Sequence, residues 1–247
     1  MFSIKSHPSL MSRLGLLLFA VGILTGLSFS VAILWGEIEV RLDVPYQSAA
    51  SLQMECPLML SPAETGKIEA VIVNATTRQV KPVVLLDLNR AGIEAAFAQA
   101  VPLLPLETQV LTWTVDGSNV IFERLILVNV FQSPYSDNLP RLGYCSILSF
   151  SLFGLTGKQT FGLLMTISLI GILFGGGLWL LVCAQTNDQS GFTQPLEVLA
   201  VLTILALFTS TVRWWGLTLF LDFLILLLAG ILVTEFNPLF EIRKVKS

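Results

Sequence analysis

The chain has 247 residues, 54% of them apolar and only 13% charged, with a mean hydropathy of +0.78, well outside the usual soluble composition. The formal net charge is -3, and no cluster of Lys and Arg marks a nucleic-acid surface, so nucleic acid is excluded as a partner. His7 is the only histidine, which excludes a His-ligated metal site or a Ser/His/Asp triad built within this chain.

The apolar residues are unevenly spread, concentrated in Leu14 to Trp35 and again from about Phe161 to Val233. The stretch between them, Glu37 to Lys158, carries 12 acidic and 8 basic residues, a local balance of -4. Two solvents are implied, a lipid bilayer and water. The expected fold is a membrane protein with a transmembrane bundle of about four α-helices and an inserted all-β domain.

Residues 1–13 form a short N-terminal segment. Residues 14–35 are a 22-residue run without charge, about 33 Å long as a helix and sufficient to cross a hydrocarbon core of roughly 30 Å. This is the first predicted span. A cleaved signal peptide competes with it, because Arg13 precedes the run and Ser30-Val31-Ala32 loosely fits a small-residue cleavage site. The run, however, continues past that site through Ile33, Leu34 and Trp35.

Beyond Gly36 the pattern changes. Ile38, Val40, Leu42 and Val44 alternate with Glu37, Glu39, Arg41 and Asp43, which predicts a half-buried strand with almost no linker after the span. Further strands are predicted at Lys67 to Asn74, Val80 to Leu88, Thr108 to Val115, Val120 to Phe131 and Tyr144 to Phe150. Turn signals separate them at Ser61-Pro62, Asn74 to Arg78, Pro102 to Pro105, Asp116-Gly117 and Ser133-Pro134. Several strands spaced this way predict a β-sandwich over residues 37–158.

The run Ser61-Pro62-Ala63-Glu64-Thr65-Gly66, then Ile68 to Asn74 and Val80 to Leu88, is followed by Leu104-Pro105-Leu106-Glu107-Thr108 before Val110 to Trp113. It resembles bacterial immunoglobulin-like modules, in which a proline-acid turn introduces a strand ending in Asn and a second such turn introduces a later strand. The resemblance covers Glu55 to Val128, about a third of the chain. It implies a fold and no activity.

Cys56 and Cys145 bracket almost the whole domain and are predicted to form a disulfide in an oxidising compartment. Cys183 lies at the end of the next span. Asn74-Ala75-Thr76 is a glycosylation sequon that falls in a turn and is read as a chance triplet. Gly154-Leu155-Thr156-Gly157-Lys158 lacks the Ser or Thr that a phosphate-binding loop needs after the lysine. It is read as a flexible joint, with Lys158 at headgroup level.

Spans two, three and four are predicted at residues 160–182, 196–212 and 217–233, with a loop over 183–195 and a tail over 234–247. The short link Arg213-Trp214-Trp215-Gly216 implies an antiparallel hairpin with its indoles at the membrane boundary. Lys5 and Arg13 before span one, and Arg243, Lys244 and Lys246 after span four, place both termini in the cytoplasm and the β domain outside it.

Within the spans, Asp222 is an acidic residue in an apolar setting. It is expected to pair with Arg213 or to bond across a subunit interface. Gly22 and Gly26 form a GxxxG in span one, and Gly171 and Gly175 another in span two, which are candidate helix-packing seams. Catalytic and cofactor motifs are lacking, so no cofactor is expected. The functional expectation is a multi-pass cell-membrane protein presenting an immunoglobulin-like domain to another membrane or extracytoplasmic protein, as a binding, anchoring or accessory subunit. Two alternatives stand beside it: a transporter or channel component using Asp222, and a membrane-embedded enzyme using carboxylates such as Asp87, Asp116, Glu123 or Asp137.

Overall fold

The computed structural model describes residues 10–42, 50–88, 97–117, 120, 124–134, 139–186 and 193–235. Lys5, His7, Glu123, Asp137, Arg243, Lys244 and Lys246 lie outside the described residues. The chain divides into a helical unit, residues 1–34 and 163–247, and a β unit, residues 35–162.

The described residues form four helices: α1 (Leu10–Leu42), α2 (Gly157–Thr186), α3 (Thr193–Thr211) and α4 (Trp215–Glu235). All four are long and apolar enough, by length and composition, to cross a membrane. They are apolar around their whole circumference. Phe19, Ile23, Ile172, Leu199, Ala206, Leu221 and Ile225 form the inner cluster, while Leu17, Leu24, Leu173, Phe174, Phe208 and Phe223 are exposed. A helix apolar on every side is one built for a core or for lipid.

Helix α3 ends in a Schellman motif. The N–H of Arg213 donates to the Ser210 carbonyl at 3.2 Å and that of Trp214 to the Thr209 carbonyl at 3.0 Å, with Arg213 itself left-handed at φ 61°. This satisfies the last carbonyls of α3 and turns the chain into α4, whose Thr218 N–H already bonds the Trp214 carbonyl.

The β unit contains nine strands among the described residues: β1 (Ala50–Ser51), β2 (Gln53–Glu55), β3 (Met59–Leu60), β4 (Gly66–Val73), β5 (Val83–Leu88), β6 (Phe97–Ala100), β7 (Thr108–Val115), β8 (Leu125–Gln132) and β9 (Arg141–Ser149). One sheet has the order β1-β9-β8-β5-β6 with β3 also on β9; the other is β2-β4-β7. Strands β1 and β3 run parallel to β9, and every other pairing is antiparallel. The segment from Ala50 to Leu60 therefore switches sheets twice. The two sheets face each other across one core, with Ile68, Ala70, Ile72, Leu111 and Val115 on one side and Val84, Leu86, Ile126, Val128, Val130 and Ile147 on the other.

Cys56 and Cys145 are joined by a disulfide, Cα to Cα 6.5 Å. It fastens the switching segment, just past β2, to the centre of β9. The two proline-acid turns share one geometry. At Ser61–Glu64 the carboxylate accepts the Ser61 N–H at 3.1 Å while the Glu64 N–H donates to the Ser61 carbonyl at 2.9 Å. At Leu104–Glu107 the same two bonds measure 2.5 and 3.2 Å. The acid closes the turn, which is why the motif recurs ahead of β4 and β7.

Over its described residues, 37–42, the strand predicted at Glu37 to Val44 is helical instead. Helix α1 continues through Leu42, and residues 43–49 lie outside the described part. Burial there follows the helical spacing: Gly36, Glu37 and Val40 are covered while Leu42 is exposed. Val40 packs on Leu125 and Leu127 of β8, Glu37 accepts a bond from the Ser146 hydroxyl at 3.4 Å, and the Arg41 guanidinium lies 4.7 Å from the Tyr144 ring centroid. The last two turns of α1 thus cover the outer face of β8 and β9. An alternating sequence sat on a helix because this sheet face, not the local pattern, selects which residues are buried.

The flexible joint at Gly154 to Lys158 is also corrected. Thr156 and Gln159 form a capping box, the Gln159 N–H to the Thr156 hydroxyl at 3.3 Å and the Thr156 N–H to the Gln159 amide oxygen at 3.1 Å. The Gly157 N–H donates to Glu64 at 2.7 Å. The start of α2 is a doubly fixed helix N-terminus, tied to the turn that opens β4.

Candidate functional site

In the three-stranded sheet, β7 is an edge. It pairs with β4 over eight consecutive positions, Gly66 with Val115 through Val73 with Thr108, without a bulge, and no described strand lies on its other side. Its sequence, Thr-Gln-Val-Leu-Thr-Trp-Thr-Val, contains no charge, no proline and no glycine. Leu111 and Val115 point into the core, and Thr108, Val110, Thr112 and Thr114 form an exposed β-branched stripe. Sheet edges are normally shortened, charged, bulged or covered, because a row of open N–H and C=O groups pairs with any extended chain. The edges at β1, β2 and β6 are two to four residues long. Only β7, among the described residues, offers a long regular edge without such protection. The run was legible as a strand, but its edge position depends on sheet order, which local sequence does not encode.

In the helical unit, Asp222 is buried on α4 and accepts hydrogen bonds from the Ser30 hydroxyl of α1 at 3.1 Å to each carboxylate oxygen. Ser30, not Arg213, is its hydrogen-bonding partner. Arg213 sits in the turn, whereas Asp222 stands two helical turns into α4, about 10 Å along the axis from Trp215. The interhelical bond is of a kind worth roughly 0.6 kcal/mol on average and at most about 1.7. Asp222→Asn keeps a group able to bond Ser30 and removes the charge. The melting temperature of the detergent-purified protein is therefore expected to stay within about 3 °C of the parent or to rise. A fall beyond about 10 °C in a differential scanning measurement would show that the fold needs the carboxylate itself.

The glycine seams meet. Gly22 of α1 lies against the backbone of Gly171 and Ile172 of α2, and Gly175 lies against Gly15 and Phe19. The Ser168 hydroxyl donates to the Gly22 carbonyl at 2.9 Å, and a side chain at Gly26 would meet Ser168 and Thr203. Beside this seam an apolar groove of about 470 Å³ runs among α1, α2 and α3, lined by Phe19, Ile172, Gly176, Trp179 and Ile204, with Glu197 its one ionisable lining residue.

The sequon asparagine has a structural task. Asn74 is fully buried. Its amide nitrogen donates to the Arg78 and Leu104 carbonyls at 2.8 and 2.7 Å, and its oxygen accepts from the Thr76 N–H and hydroxyl at 3.0 and 2.7 Å. An asparagine so engaged pins the turn after β4 to the turn before β7. Among the carboxylates considered for catalysis, Asp87 lies on β5 opposite Asn129 of β8 and Asp116 just past β7. Among the described residues, no group of three or more His, Cys, Asp or Glu side chains could hold a metal ion.

No family model and no curated protein sequence matches the chain. Among solved structures, the CARDB domain of a Pyrococcus furiosus protein, determined in complex with di-metal ions, is similar at 15% identity and a TM-score of 0.32, over 40% of this chain and 93% of that one. A β-glucosidase from Erythrobacter marinus matches at 17% identity and TM-score 0.31, over 41% of this chain and 15% of the enzyme. One from Listeria innocua in complex with glucose matches at 16% identity and TM-score 0.31, over 42% and 17%. The chain thus spans less than a fifth of either glucosidase.

Proposed function

We propose that the protein is a multi-pass membrane protein holding an immunoglobulin-like domain on the non-cytoplasmic side, and that it works without catalysis as a binding or assembly subunit of a membrane complex. Its partner would add an extended segment along β7. The observation that carries this reading is the eight-residue, charge-free and bulge-free edge, since strand addition uses open backbone groups for affinity and alternate side chains for specificity. The four long apolar helices support the membrane placement. The Cys56–Cys145 disulfide supports an oxidising compartment for the β unit, and the basic residues flanking the first and last spans support cytoplasmic termini.

The test is photo-crosslinking from an introduced benzophenone at Thr112 of β7, with Gln53 of β2 as control, in native membranes extracted with mild detergent. Crosslinks to a stoichiometric partner are expected from Thr112 and not from Gln53. Thr112→Lys should reduce partner recovery roughly tenfold by putting a charge on the edge. It should leave the fold intact, because the new ammonium would stand opposite Glu69 of β4. Equal crosslinking from both positions would reject β7 as the docking edge, and a crosslinked dimer of this chain would replace the foreign partner by a second copy.

A further inference from the structure

Phe153 is the most exposed large hydrophobic residue among those described, at 91%. It lies between β9 and α2, with a left-handed backbone at φ 53°, followed by Gly154 at φ 75°. A bulky non-glycine residue in that region is strained, and a ring left in water gains nothing from burial. Both features are held in place by the surroundings. The Leu155 N–H donates to the Leu152 carbonyl at 3.0 Å and the Ser151 hydroxyl to the Leu155 carbonyl at 3.2 Å. The Phe150 N–H donates to the Leu60 carbonyl at 2.9 Å, and the helix that follows is fixed by its capping box and by Glu64. These bonds hold the ring outward, and backbone strain kept in this way beside a fully exposed ring points to an external contact.

The position identifies the contact. Phe153 stands four residues before Gly157, the first residue of the candidate span Gly157–Val182, so even a fully extended chain keeps it within about 14 Å of the helix start. Exposed Lys158 follows, whose long side chain can carry its charge to the headgroups from near a helix end. On the other connection, exposed Trp35 ends the apolar run of α1. We infer that Phe153 is a membrane-interface anchor, its ring inserted at the boundary of headgroups and acyl chains. The inference rests on the multi-pass reading above and adds to it a lipid contact at the residue that leads into the second span.

The test uses the full chain in phosphatidylcholine nanodiscs, with Cys183→Ser to leave no other free thiol and a bimane label at Phe153→Cys. Quenching by a nitroxide on acyl carbon 5 of the lipid is expected, with iodide quenching reduced roughly threefold relative to a label at Val110→Cys on the exposed face of β7. A retained-ring measurement accompanies it. Trifluoromethylphenylalanine at position 153 should show larger fluorine relaxation from dissolved oxygen than from an aqueous nickel chelate. Iodide access equal to that of Val110, or relaxation dominated by nickel, overturns the anchor. A label at Phe174→Cys in the middle of α2 separates the two failures. If it is quenched by the lipid nitroxide while position 153 is not, the span stands and the anchor falls; if neither is quenched, the membrane reading itself falls.

Discussion

Combined replacement Cys56→Ser and Cys145→Ala is expected to lower the thermal midpoint of the β unit by about 15 °C. The bond closes a loop with a sequence separation of 89, and constraint of the unfolded chain at that length is worth about 4 to 5 kcal/mol in the loop-entropy account. Its position in the fold argues for a large effect as well. The segment Ala50–Leu60 changes sheets twice through strands of only two or three residues, too short to hold register by pairing alone. Cys56 is its covalent attachment to β9. Cys145 is 2% exposed inside the core, so Ala at that position adds a small cavity cost, while Cys183→Ser serves as a thiol control. Melting of the intact chain in detergent, with parent and variant compared with and without reductant, measures it. If reductant lowers the parent midpoint by less than about 3 °C, the disulfide is not what holds the sheet-switching segment in place.

Elements whose burial follows from their own sequence were legible. The strand expected at Thr108 to Val115 occupies those residues, and that expected at Lys67 to Asn74 is shifted by one, to Gly66–Val73. In both, one face meets the core and the other does not, so the period of two survives into the structure. The strand expected from Val120 begins at Leu125, where both faces become buried, one in the sandwich core and one under α1. Strands β1, β2 and β3 left no periodic trace because two or three residues cannot show a period; β9 and β4 create them by pairing. Strand β6 is exposed at every position and carries no alternation to read. The partners of the polar groups were equally hidden. Ser30 and Asp222 are 192 positions apart, and Glu64 and Gly157 are 93 apart, so no local spacing announces them. The seam glycines were readable for the opposite reason, since two glycines four apart on one face of a lipid-length helix mark a packing face whichever helix supplies the neighbour.

That close approach yields a second large effect. Gly22→Ala and Gly171→Ala are each expected to destabilise the helical unit by about 2 to 3 kcal/mol, and Gly171→Leu to prevent its assembly. A Cβ on Gly171 would lie 2.7 Å from the Gly22 Cα, and one on Gly22 would lie 2.6 Å from the Ile172 nitrogen. Both obstacles are backbone and cannot rotate away, so α1 and α2 must separate along their length. Separation also stretches the Ser168 to Gly22 bond, now 2.9 Å. Intrinsic helix propensity works against the effect, because Ala is better than Gly by about 1 kcal/mol in a helix interior. Gly177 and Gly230 supply the comparison, since nothing lies within 4 Å of a Cβ at either. Gly177→Ala and Gly230→Ala should therefore be neutral or slightly stabilising, while the two seam variants lose stability, all measured as midpoints of fluorescence-detected thermal aggregation in one detergent. Equal behaviour of seam and control glycines would mean that α1 and α2 are not held by backbone contact. The difference expected between seam and control follows from sterics, because all four substitutions add the same methyl group with the same gain in helix propensity.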